Sequence, residues 1–135
     1  MSEVIRVTIP ANLEAIRTPS EELHEVMGLQ NLPETIRSSC EIALHELLTN
    51  IVRHACGFDS NQTIQVMIRL EGRRITVQTE DGGAESLVDL EAVSIPDPHE
   101  LKESGYGMGL ITSLMDEVAY QRSSGRNIWT LIKEI

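Results

Sequence analysis

Three clusters in this sequence combine residue types that carry chemistry. Glu46, Asn50 and His54 recur every four residues, so on a helix they form one stripe. Asp81-Gly82-Gly83 ends a strand-like run, Ile75 to Thr79, and Gly105-Tyr106-Gly107-Met108-Gly109 opens a helix-like run, Leu110 to Val118. Glycines at a helix start let phosphate oxygens approach bare backbone N–H groups, where the helix dipole also favours negative charge. An aspartate among glycines after a strand can reach the polar edge of a base. A helical carboxylate can accept a proton from an attacking hydroxyl, and an amide oxygen is a hard ligand suited to Mg²⁺, directly or through water. Together the clusters describe a nucleotide pocket with its base at one end and its phosphates at the other.

Each cluster taken alone has an ordinary reading. A Glu–Asn–His stripe is usually a solvated helix face, and Asp-Gly-Gly is usually a turn. The second glycine cluster does not directly follow a strand within a βαβ unit, which argues against a dinucleotide-binding fold. His45-Glu46 begins like a zinc-protease HExxH, but Thr49 stands where the second histidine belongs. The order carries more weight than any one cluster: helix stripe, strand-ending aspartate with glycines, long polar loop, glycine-opened helix.

The elements that must position these residues can be read from periodicity. Val4 to Ile9 suits a strand, ended by Pro10, and Leu13 to Met27 reads as a helix that Pro19 could break and Gly28 closes. Pro33 suits a first helical turn. From there Ile36, Cys40, Ala43, Leu44, Leu47, Leu48, Ile51 and Ala55 recur at three- and four-residue steps, predicting one long amphipathic helix to Gly57. Successive members of the stripe drift by about 40°, so it runs from the polar side at Glu46 toward the apolar border at His54. Ile64 to Leu70 alternates, turns at Glu71-Gly72-Arg73 and continues through Ile75 and Val77; Val118 to Arg122 and Ile128 to Ile132 predict a final hairpin around Ser124-Gly125-Arg126. Residues 84–104 form a polar, Pro-containing loop, of a length that is usually functional or mobile. The order β-α-α-β-β-loop-α-β-β predicts an α+β fold, helices covering one face of a mixed, mainly antiparallel sheet.

Composition bounds the function. The 135 residues suit one domain, residues 1–135, and carry a net charge of −10. That balance argues against nucleic acid as a partner, and against an anionic membrane surface; it permits a basic protein partner. Phe58, Tyr106, Tyr120 and Trp129 are the only aromatics, too few for a stacking stripe. No apolar run approaches a membrane span, and Met1-Ser2-Glu3-Val4 does not begin like a signal peptide, so a cytoplasmic location is expected. Cys40 and Cys56 read as free buried thiols of a reducing compartment.

The combined pattern resembles the GHKL ATPase superfamily and its Bergerat fold, a two-layer α/β sandwich. Glu46-Leu47-Leu48-Thr49-Asn50 looks like the superfamily's N-box, Asp81-Gly82-Gly83 its first glycine box and Gly105 to Gly109 its second. Within it, Glu46 to Ala55 and Gly107 to Val118 are most similar to the anti-sigma factor serine/threonine kinases of partner-switching systems. The resemblance implies ATP and Mg²⁺ as cofactors, with Asn50 on the metal and Glu46 as catalytic base or as the group orienting a serine hydroxyl. It implies that Asp81 accepts from the adenine amino group while Gly83 allows close approach. Gly105 and Gly107 would offer N–H groups to the phosphates, with Tyr106 and Met108 in the same cofactor-binding segment. His54 would line the pocket, Lys102 would contact phosphate, and residues 84–104 would be the ATP lid. The implied partners are a STAS-type anti-anti-sigma protein, which is phosphorylated, and a sigma factor or other effector, which is sequestered; a homodimer is also implied. Two departures stand out: Glu85 and Glu103 occupy places where the glycine boxes often have glycine. They leave open a non-enzymatic binding module of the same fold. A detached histidine-kinase catalytic domain is a third alternative, distinguished by labelling on histidine.

Overall fold

The computed structural model describes residues 2–90 and 106–135. The elements run β1 (Ser2–Pro10), α1 (Arg17–Leu29), α2 (Glu34–Asn50), a π-helical turn (Ile51–Ala55), β2 (Thr63–Glu71), β3 (Arg74–Asp81), α3 (Tyr106–Leu114), β4 (Glu117–Ser123) and β5 (Arg126–Glu134). The strands form one sheet in the order β1-β2-β3-β5-β4. All four pairings are antiparallel, so the sheet is not mixed. The two hairpin turns explain the local register. Glu71 pairs with Arg74 around Gly72, whose φ is 60°, and Ser123 pairs with Arg126 around Ser124 and Gly125, at φ 52° and 75°. Two consecutive left-handed residues form the turn whose twist matches antiparallel strands.

Strand alternation assigns the two faces. Ile64, Val66, Ile68 and Leu70 of β2, Ile75 and Val77 of β3, and Trp129 and Leu131 of β5 are buried against the helices. Thr79, Asp81 and Asn127 continue the same inward rows, and they are the buried polar residues of the described chain. The outward positions carry four arginines (Arg6, Arg69, Arg74, Arg126) and four glutamates (Glu71, Glu80, Glu117, Glu134), so this open face is neutral and the −10 resides elsewhere.

On the helical side, α2 packs against both α1 and α3. Its buried residues Cys40, Ala43, Leu44, Leu47 and Leu48 follow the predicted steps. The helix does not stay α-helical to Gly57, however. Cys56 donates its N–H to the Ile51 carbonyl at 2.9 Å, five residues back, and the widened turn buries Ile51, Val52 and Cys56 while leaving Ala55 half-exposed. Gly57 and Phe58, at φ 55° and 61°, then terminate it. Pro19 does not break α1: the helix begins at Arg17 rather than Leu13, so the proline lies in the first turn, where an N–H would lack an intrahelical partner anyway. Helix α3 is shorter than the Leu110–Val118 expectation at one end and longer at the other. Asp116 donates its N–H to Ile132 O at 2.9 Å and accepts from Glu134 N–H at 2.6 Å, which turns the chain out of the helix and into β4. Lys133 caps the exit, donating to Leu114 O at 2.8 Å.

Candidate functional site

The stripe residues of α2 and the two glycine clusters come together at one end of the helical layer. A cavity of about 290 Å³ opens there, lined on the helix side by Leu47, Asn50, Ile51, His54 and Ala55 and on the sheet side by Asn127 and Trp129. Ala84, Glu85, Ser86, Leu87 and Val88 form its edge, and Met108 of α3 closes it. Its walls are mostly apolar with a few convergent polar groups, the ordinary make-up of a small-molecule site.

Glu46 and Asn50, one turn apart on α2, meet the start of α3. A Cβ built on Gly107 would lie 2.9 Å from Asn50 Nδ2, 3.3 Å from Asn50 Oδ1 and 3.4 Å from Glu46 Oε2. A side chain at 107 would therefore push the Asn50 amide and crowd the Glu46 carboxylate against which the first turn of α3 lies. Of the two, Asn50 lines the cavity and Glu46 lies beside it. His54 lines it from the π-turn with an exposed ring. Tyr106 opens α3. Lys102 and Gly105 lie outside the described residues, as do Glu103 and residues 91–104 of the expected lid.

Gly83 answers a packing constraint that its sequence context did not suggest. A Cβ there would sit 2.4 Å from the Ala55 carbonyl oxygen and 2.9 Å from Ala55 Cβ. The close approach is to the end of the π-turn, and Ala84 N–H completes it by donating to Ala55 O at 2.8 Å. One of the last carbonyls of the helix thus finds its partner in the strand-ending loop.

Asp81 is wholly buried, bonded to the cavity-lining Asn127. Its Oδ1 accepts from Gly83 N–H at 2.8 Å and from Asn127 Nδ2 at 2.9 Å. Its Oδ2 is buried and has no hydrogen-bond partner among the described residues, and the same holds for the Thr79 hydroxyl, the previous inward position on β3. Their register partners, Asn127 and Trp129, are cavity-lining residues. Buried polar atoms are almost always paired, so two unpaired ones next to cavity-lining residues suit a hydrogen-bond donor or ordered water.

Four residues of this site lie outside the sequence motifs. Tyr120 accepts from Ser86 N–H at 3.0 Å and donates its hydroxyl to Asn127 Oδ1; Arg122 donates to Asn127 Oδ1 at 2.8 Å and to Gly83 O at 3.1 Å. Trp129 stacks at 4.6 Å on Tyr120. The signal that could find Asn127 is the β5 alternation: one step before the predicted strand start at Ile128, it places a polar side chain on the inward face.

Cys40 and Cys56 are free and buried, and burial pushes their thiols up to about 12 and about 11 respectively, Asp81 adding to the effect on Cys56. No helix of the described residues is long and apolar enough to cross a membrane.

Residues 9–133 match the family of histidine kinase-like ATPase domains. A serine-protein kinase RsbW of Bacillus cereus (strain AH820) is 28% identical, the alignment covering 93% of this chain and 82% of the relative. Its counterpart in Halalkalibacterium halodurans is 28% identical over 91% of this chain and 78% of that one. Among solved structures, the RsbU and RsbW domains of Rv1364c from Mycobacterium tuberculosis superpose with a TM-score of 0.71 at 19% identity, over 98% of this chain and 32% of that one. The SiaB–SiaC complex of Pseudomonas aeruginosa gives a TM-score of 0.65 at 15% identity, over 97% and 89%. The fold is thus shared well beyond detectable sequence likeness.

Proposed function

The chain belongs to the histidine kinase-like ATPase domain family, and from that premise we propose that it is an ATP-dependent protein serine/threonine kinase of a partner-switching system. The whole of residues 1–135 acts as one ATPase domain, with 84–104 as its lid. The observation that carries the proposal is the juxtaposition of Glu46, Asn50 and Gly107 beside an apolar cavity. It places a carboxylate, an amide oxygen and the N-terminal turn of a helix within one phosphate's reach of each other.

Mg-ATP, when bound, supplies the transferable phosphoryl group and the metal charge that offsets its negative oxygens. Asp81 Oδ2 accepts from the base, and Trp129, Leu47, Ile51 and Met108 give the base an apolar enclosure. Asn50 holds the metal through its amide oxygen. Backbone N–H groups at Gly105, Tyr106, Gly107 and Met108, with Lys102, bind the phosphates. Glu46 takes the proton from, or orients, the attacking serine or threonine hydroxyl. The relatives' names, serine-protein kinase, support this transfer chemistry.

The phosphorylated partner is a STAS-type anti-anti-sigma protein, and the alternately sequestered one is a sigma factor or another effector. The protein works as a homodimer in the cytoplasm; the neutral open sheet face supports self-association in an otherwise acidic molecule. Glu85 favours a second reading: its carboxylate is on the cavity edge, where it opposes a polyanion, as expected of a protein-binding regulator that has lost phosphotransfer.

Calorimetric titration with ATP, with and without Mg²⁺, separates the two readings, followed by label transfer to a candidate STAS protein. The kinase reading expects Mg²⁺-enhanced binding, weakened in Asn50→Ala, and transfer abolished in Glu46→Ala while ATP binding survives. Equal transfer by wild type and Glu46→Ala sinks the base assignment. Absence of binding at millimolar ATP sinks the kinase.

A further inference from the structure

Asp81 can discriminate between bases only if one of its oxygens is fixed and the other kept free. Its Oδ1 is fixed from two sides, by Gly83 N–H and by Asn127 Nδ2, while Oδ2 has no partner among the described residues. The second of these donors is the informative one, because Asn127 is a buried polar residue in an otherwise largely apolar row. It is 1% exposed, at an inward strand position whose neighbours in the same row and along the strand are apolar or part of the site.

Its hydrogen bonding is complete. Nδ2 donates to Asp81 Oδ1 at 2.9 Å, to Ala84 O at 2.8 Å and to Gly83 O at 3.3 Å. Oδ1 accepts from Arg122 Nη1 at 2.8 Å and from the Tyr120 hydroxyl. The amide cannot be turned over: exchanging its oxygen and nitrogen would set an oxygen against three acceptors and an amino group against the arginine. Arg122 and Tyr120 on β4 therefore dictate which end of Asn127 faces Asp81, and Asn127 dictates which Asp81 oxygen remains available. The same amide ties down the backbone of residues 83 and 84, which with Ser86, held by Tyr120, forms the cavity edge.

We propose that Asn127, oriented by Arg122 and Tyr120, is a positioning residue that sets the base specificity of this pocket by keeping one acceptor oxygen of Asp81 free and immobile. The assignment rests on the nucleotide reading given above. A base edge with an amino donor, as in adenine, satisfies the free oxygen; a base edge with a carbonyl there, as in guanine, sets acceptor against acceptor and leaves both desolvated and unpaired. Without Asn127 the carboxylate can rotate and take other partners, so the discrimination falls even where affinity for phosphates and metal persists.

The test is titration of the purified protein with ATP and with GTP, in wild type, Asn127→Ser and Tyr120→Phe, each checked for a cooperative thermal melt. Quenching of Trp129, the chain's single tryptophan and a cavity residue, gives an independent optical reading of occupancy. Asn127→Ser is expected to reduce the ATP-over-GTP preference by about tenfold or more, and Tyr120→Phe by a smaller factor in the same direction. A folded Asn127→Ser that binds both nucleotides more weakly at an unchanged ratio overturns the proposal, reducing Asn127 to a structural clamp. If Asn127→Ser does not fold, an unchanged ratio in Tyr120→Phe overturns it. A wild type that binds neither nucleotide overturns the underlying nucleotide reading itself, an outcome distinct from both.

Discussion

Gly83 offers the sharpest separation of two explanations for one residue, ligand approach or packing against the helix end. In Gly83→Ala the new Cβ would stand 2.4 Å from Ala55 O and 2.6 Å from its carbonyl carbon. Those are backbone atoms, so relief requires the strand-ending loop to move away from the π-turn. Overpacking of this kind costs about 1–3 kcal/mol. The shift also breaks the 2.8 Å bond from Ala84 N–H to Ala55 O, which adds about 1 kcal/mol. The combined loss of about 2–4 kcal/mol lowers the melting temperature by roughly 6–15 °C for a chain of this size. Gly82→Ala is the control, since its Cβ meets only Arg126 Nη1, at 3.1 Å, the far end of a flexible side chain. Neither glycine has a left-handed φ, so the difference reports contact alone. Thermal melts followed by circular dichroism, with and without ATP, decide the matter. A Gly83→Ala protein that melts with the wild type but fails to bind ATP refutes the packing argument and restores ligand approach as the reason for glycine.

Further outcomes follow from other parts of the chain. At pH 8 a thiol at the ordinary value of 9.0 is about one-tenth thiolate, whereas thiols near 11 and 12 are only ~10⁻³ and ~10⁻⁴ ionised; iodoacetamide should modify neither cysteine in the native protein and both after denaturation, and fast native labelling of Cys40 would contradict its burial. The same shifts make stability fall with rising pH: both states are protonated below pH 9, the unfolded chain ionises above it, and the folded chain follows only near 11 and 12, so a urea-unfolding series should lose stability across that window. Phe58, 54% exposed at φ 61°, sits in a conformation that costs a non-glycine residue about 1–2 kcal/mol. Asparagine tolerates that conformation better, so Phe58→Asn should raise stability by about 0.5–1 kcal/mol despite losing the 6.0 Å contact of Arg53 with the ring; a lower melting temperature would show that the ring does more than that contact.

The parts of the fold legible in the sequence are those set by short-range periodicity. The alternation of β2 and β3, the three- and four-residue steps of α2, and the glycine-containing hairpin turns lead directly to the observed elements. The α+β class follows from their order. The π-turn was not legible, because residues 51–55 keep a good helical pattern and the turn coincides with tertiary contacts, the burial of Val52 and Cys56 and the docking of Gly83 on Ala55. The order of elements does not by itself fix strand direction, and the described sheet is wholly antiparallel rather than mixed and mainly antiparallel. Within the site, Asn50, His54 and Met108 could be named because motif spacing marks them. Asn127, Tyr120 and Arg122 are marked by no motif, since hydrogen-bond partners 34 to 46 residues away in the chain give them their role. Gly83 is marked in the sequence by its glycine box, while its packing against Ala55 is visible only in the fold.

The neutral open face of the sheet has a kinetic consequence. With four arginines cancelling four glutamates there, the charge of −10 belongs to the rest of the chain. A nucleoside triphosphate approaching a molecule of that net charge meets a repulsive field, screened over about 8–10 Å at ordinary ionic strength. Its association rate should therefore rise, not fall, with added salt, the reverse of the behaviour of basic phosphate-binding proteins. On the kinase reading proposed above, the magnesium complex, carrying two fewer negative charges, should arrive faster than the free triphosphate. The bare anion should be held off at a distance before any side chain of the site has touched it.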